Sequence, residues 1–287
     1  GTFGSTGTDT ASNTLYLNQN DHTLSGTLNG NKHNGITVGT NDKLNVNSTG
    51  VGGTISGFET AFAVEETGIL NISKTTFEDN MTDIVNNGTL NATKITSSNI
   101  VNNNTAVFNG SNKLGNVTGT DGQMTIAGQT TATGNIEQNK ITVNTGAGLT
   151  ANLNGYAVAT TENNGALTLN GAGTLGNVSG TGNLSLNGAV EVNSGTSITQ
   201  EKINLSGTAD KQAALTNNGN ISSAIIVNEN GSVSGEGAMT LWGGSENKGT
   251  ISQTSIAIKG NTVNAGEISG NSLSVAENVL VTNTGGA

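Results

Sequence analysis

One five-residue pattern, Gly-x-(Ile/Val)-(Ser/Thr)-Gly, returns along this chain at Gly53–Gly57, Gly115–Gly119, Gly176–Gly180, Gly231–Gly235 and Gly266–Gly270. The copies lie 62, 61, 55 and 35 residues apart, close to three, three, three and two units of roughly 17 to 21 residues. Longer stretches keep the same phase. LGNVTGT at Leu114–Thr120 matches LGNVSGT at Leu175–Thr181, and QNKITVNTG at Gln138–Gly146 matches QEKINLSG at Gln200–Gly207. Each copy after the first is followed by an alternating apolar segment, as in Met124-Thr-Ile126, Leu184-Ser-Leu186, Met239-Thr-Leu241 and Leu273-Ser-Val275. Alternation with period two marks a short strand with one buried face. Such segments, divided by Asn-Gly, Gly-Thr or Asn-Asn, suit a coil of two or three strands per turn. A lone coil buries too few aliphatic side chains to offset the entropy of ordering it. Stacking supplies the difference, because each coil then pairs its backbone with its neighbours and seals a shared apolar interior. The expected fold is an all-β parallel solenoid, a right-handed β-helix with rungs of roughly 17–21 residues and negligible helix.

Composition agrees with that architecture. The 287 residues include 45 Asn, 44 Thr and 43 Gly, with no Pro, Cys or Arg. Gly and short polar side chains weaken helices and favour turns. Regularly spaced Leu, Ile and Val argue against disorder. Aromatic residues are 3 % of the chain, which implies a narrow interior of stacked aliphatics. No composition break or charge run marks a boundary, so residues 1–287 read as a single elongated domain, with 1–20 as an irregular or capping segment. The inward set is expected to include Val117, Ile126, Val178, Leu186, Ile203, Leu205, Val233, Leu241, Ile256 and Ile268.

Charge narrows the partners. The formal net charge is −10, carried by scattered acids against ten isolated Lys, so no cationic stripe is present to neutralise phosphates. Nucleic acid is not an expected partner. No apolar run approaches the roughly 18 residues of a membrane span, and the opening Gly-Thr-Phe-Gly has no signal-peptide pattern, as expected of an interior or mature segment. Without Cys, a disulfide scaffold and thiolate metal sites are excluded.

Two blocks carry a family resemblance. Gly173–Gly188 (GTLGNVSGTGNLSLNG) and Gly231–Gly243 (GSVSGEGAMTLWG) resemble the passenger-associated strand repeat of autotransporters. The Asn-x-Gly-x-(Leu/Ile)-x segments at Asn86–Asn91, Asn163–Thr168, Asn217–Ser222, Asn247–Ser252 and Asn264–Ser269 are similar to passenger sequence as well. The resemblance implies a right-handed parallel β-helix exported to the bacterial outer-membrane surface or beyond, working in adhesion, autoaggregation or biofilm formation. The repeat's usual Asn-Thr-Tyr-Thr-Gly ending is missing. Filamentous-haemagglutinin-like or other fibre-forming surface proteins share the composition and are the alternative.

Few residues invite chemistry. Glu78, Asp79 and Asp83 form the densest acidic cluster, open to three readings: a solvated loop, calcium ligation by hard oxygens, or a paired-carboxylate hydrolase. A polysaccharide-active β-helix enzyme is disfavoured by the lack of Arg and of convergent carboxylates. Glu65-Glu66 reads as a turn pair. Trp242, the single Trp, follows Leu241 and so faces opposite to it, outward or at a corner. That makes it the ligand-binding candidate, for a carbohydrate or a protein partner. The expected function is a non-enzymatic adhesin or structural segment with no cofactor. Its expected partners are host or bacterial surface glycans or proteins, or a second copy of itself.

Overall fold

The computed structural model describes residues 15–17, 21–30, 32–47 and 52–284. About 65 % of the chain is strand and 1 % helix, in a parallel β-solenoid of about 14 turns. The one helical element among the described residues is a single 3-10 turn, Leu153–Gly155. No helix among the described residues is long and apolar enough to cross a membrane. Contacts cluster into two compact units, Gly1–Ile141 and Thr142–Ala287. The expected cap over 1–20 lies, apart from Leu15–Leu17, outside the described residues.

In the second unit, three apolar columns run through successive coils. Val178, Ile198, Ile221, Met239 and Ile256 stack in register. So do Leu169, Leu186, Leu205 and Val227, and Val190, Leu215, Val233 and Ile251. All of these are buried. Period-two alternation sends every second side chain inward, and parallel pairing places each one directly against its equivalent in the next coil.

The opening coils of the first unit are longer than its later ones. One early coil separates the paired residues Thr27 and Thr54 by 27 positions, and another separates Asn45 and Asn71 by 26. From Asn86 to Asn102 the separation is only 16. Rung length therefore varies more widely than the spacing of the repeat implies. Phe58, Phe62, Phe77 and Phe108 are buried here, and Phe62 meets Phe77 edge-on at 6.1 Å. Longer coils enclose more space, and Phe58, Phe62 and Phe77 fill it, whereas Phe108 lies in a short coil, paired with Ala92 and Ile126. The expectation of a purely aliphatic interior thus holds for the columns of the second unit and fails for the first.

Of the ten expected inward residues, nine are buried. Ile268 is half-exposed. It pairs with Ile251 on one side and with no described strand on the other. Leu273 and Val275 on the same strand are exposed for the same reason.

Candidate functional site

One recurring set of buried polar side chains stands where the repeat motif turns a corner. Asn102, Gly119 and Gln138 each stand two residues beyond a stacked apolar residue, in the series Ile100, Val117, Ile136. They therefore occupy one position in three consecutive coils. Asn102 Nδ2 donates to Gln138 Oε1 at 2.6 Å, and Gln138 Nε2 donates to the Gly119 carbonyl at 3.0 Å. The glutamine reaches past the middle coil because glycine leaves that place empty: Gly119 has φ +122°, and a Cβ there would lie 2.1 Å from the Asn102 carbonyl oxygen. The arrangement recurs as Asn163, Gly180 and Gln200, with Asn163 Nδ2 donating to Gln200 Oε1 at 2.6 Å. It recurs again as Asn217, Gly235 and Gln253, at 2.7 Å. All six amide side chains are buried, and each column clasps three coils at once.

These columns explain three of the five motif copies, whose final glycines are Gly119, Gly180 and Gly235. The other two differ. Gly57 has no Asn–Gln pair around it among the described hydrogen bonds, and Gly270 lies in an unbroken strand, Glu267–Val275, stacked on Gln253. Sequence reasoning did not single out the amides, although Gln138 and Gln200 each begin the longest matched strings.

The acidic cluster is divided by the fold. Glu78 and Asp79 lie towards solvent, while Asp83 is buried, so the solvated-loop reading fails for Asp83. Its strand, Thr82–Asn86, points the carboxylate at the next coil. Oδ2 accepts from Ser97 Oγ at 2.7 Å and from the Ser98 and Asn99 N–H groups at 2.6 and 3.1 Å. Oδ1 accepts from Asn80 Nδ2 at 2.9 Å. Asn80 in turn accepts from the Phe58 N–H and donates to the Ile55 carbonyl. Four donors thus occupy the carboxylate that calcium ligation would have used. Among the described residues no three His, Cys, Asp or Glu side chains stand close enough to share a metal ion. Asp83→Ala removes the acceptor for these donors and is expected to cost about 3 kcal/mol, read as a lower urea midpoint. An unchanged midpoint would show that the carboxylate does not clamp the two coils.

Glu65 accepts from the Tyr16 hydroxyl at 2.7 Å. That bond to a carboxylate holds the phenol above its ordinary range.

Trp242 sits on the outside of the second unit, 45 % exposed, directly after the buried Leu241. The corner is built by its neighbours. The Trp242 N–H donates to the Ser223 carbonyl at 3.1 Å, and Ser245 Oγ donates to the Trp242 carbonyl at 2.8 Å. The indole N–H donates to Ser222 Oγ of the preceding coil at 2.8 Å. From the following coil, the Lys259 ammonium stands 5.6 Å from the ring centroid, within cation–π range. Gly243 and Gly244, which follow the ring in the chain, are exposed.

No family model, no curated protein and no solved structure matches the chain.

Proposed function

We propose that this chain is a segment of a bacterial surface or secreted β-solenoid, similar to an autotransporter passenger, with an adhesive or structural role. What supports the reading is the division of labour between interior and surface. Inside, Asp83 and the Asn–Gln pairs are engaged by hydrogen bonds that hold one coil to the next. Outside, the coils carry rows of polar side chains, such as Thr96, Lys113 and Thr131 in register, and one exposed Trp. A stack of this kind carries contacts on its sides while its interior keeps register. The partners are surface glycans or proteins, or a second copy of the chain.

Two measurements test it. Beads or cells displaying the chain should adhere to host or bacterial surfaces above a bare control. Self-association should be weak and strengthen with salt, because the charge of −10 is screened over about 8 Å at physiological ionic strength. Sedimentation velocity across a salt series reads this directly. A strictly monomeric chain at high salt, on beads that adhere to nothing, would overturn the proposal.

A further inference from the structure

We propose that the Trp242 corner binds a carboxylated sugar, with the indole as the stacking platform and Lys259 as the carboxylate's counter-ion. The inference rests on the adhesive reading and names its ligand class. Three observations carry it. First, the indole is held in place before any ligand arrives, by its N–H on Ser222 Oγ and by the backbone bonds of Trp242 on either side. A ring already fixed loses little entropy on binding. Second, the ring is followed by two exposed glycines, Gly243 and Gly244, and the outward positions beside it are small: Ser222, Thr240, Ala257 and Ser274 stack in register along the same sheet. A pyranose can lay its C–H face on the indole and rest its hydroxyls on that strip. Third, Lys259 makes no ion pair among the described residues, Glu277 on the adjoining coil included. Its ammonium stands instead over the indole.

An ammonium over an aromatic face is a modest interaction at an exposed site. A carboxylate offers the same cation a charge-assisted hydrogen bond, which is stronger. When the sugar arrives, the flexible lysine stem swings its charge from the ring to the carboxylate, and the vacated face takes the sugar. A neutral sugar must compete with the ammonium for that face and gains nothing for displacing it. In a chain of net charge −10, this cation is also what makes an acidic ligand acceptable here.

Because Trp242 is the only tryptophan, its fluorescence reports occupancy of this corner directly. The full chain is titrated with oligogalacturonate and with its methyl ester, which keeps the ring and loses the charge. The acid should perturb the emission and bind at least tenfold tighter than the ester. Lys259→Gln should erase that preference, with ester binding tightened by about two- to fivefold because the competing ammonium is gone. Trp242→Phe should keep the preference by an orthogonal readout such as calorimetry, and Trp242→Ala should weaken both ligands at least tenfold at a temperature where circular dichroism shows the variant fully folded. Equal affinity for acid and ester, or a Lys259→Gln variant that keeps the preference, would overturn the ligand class. Adhesion of displaying cells that persists with no sugar bound at Trp242 would overturn the site and leave the adhesive reading standing. Failure of sugar binding and adhesion together would remove both.

Discussion

Gly180→Ala is expected to destabilise the second unit by at least about 3 kcal/mol, whereas Gly171→Ala should cost about 1 kcal/mol. Both glycines have positive φ, +116° and +87°, so both substitutions force an L residue into a disfavoured backbone region. Their surroundings separate them. A Cβ at Gly171 meets nothing within 4 Å, but at Gly180 it falls 2.3 Å from the Asn163 carbonyl oxygen. That carbonyl belongs to the preceding coil, so the new methyl must push two coils apart. It would also part Asn163 from Gln200, leaving buried amide groups without partners at about 1–3 kcal/mol each. The comparison is made by chemical denaturation of the two variants, with amide exchange to locate the loss between Tyr156 and Leu205. Equal costs at the two positions would mean that backbone conformation alone matters and that the amide column adds nothing. Replacing Asn163 and Gln200 together with Leu provides the complementary check. If the column only fills space, the double variant should approach wild-type stability; if it sets register, exchange protection should fall across all three coils.

Leu186→Asp should cost about 5 kcal/mol at neutral pH. Leu186 is fully buried, with Leu169 stacked on one side and Leu205 on the other. No donor stands in that column to meet a carboxylate, so the charge is desolvated without compensation. The sign of the pH dependence follows. Burial raises the folded-state pKa of the introduced Asp above its unfolded value of about 3.9. The stability of the variant is then highest below that unfolded value, where the group is protonated in both states, and is lost as pH rises through the raised folded pKa. The urea midpoint of the variant should therefore recover on acidification relative to wild type. Ser185→Asp, one residue away and on the opposite face, should stay within about 0.5 kcal/mol. A similar cost at both positions would place Leu186 on the wrong side of its strand.

How much of this was legible beforehand depends on the period of the signal. Alternation such as Leu184-Ser-Leu186 gives the strand and its buried face, because side-chain direction in a strand is a local property. The stacking of Val178 on Ile198 follows from the repeat. The width of the opening coils was not legible, since Phe62 and Phe77 meet through coils whose lengths follow no fixed interval. The pairing of Asn163 with Gln200 was hidden for a related reason: the contact skips a coil, and the residue between is a glycine that contributes no side chain. Asp83 looked like part of a surface cluster because Glu78 and Asp79 beside it lie towards solvent. Only the facing N–H groups of Ser98 and Asn99, one coil away, set it apart. Trp242 was legible as an outward residue from Leu241 beside it, but Lys259 above its ring was not, since it belongs to the next coil.

Between Leu205 and Ala213 the chain leaves the columns, and its excursion is closed by reciprocal backbone hydrogen bonds between Thr208 and Lys211 at 2.7 and 3.1 Å. The coil that contains it runs from Ala189 to Ala214, longer than the one that follows, from Ala214 to Ser232. Even so, Leu186, Leu205 and Val227 on one side and Val190, Leu215 and Val233 on the other keep unbroken register. Extra length leaves the stack sideways instead of straining it. Thr208–Lys211 is thus a natural port for foreign sequence: a peptide grafted there would be carried on the outside, while the interior beneath it goes on stacking as before.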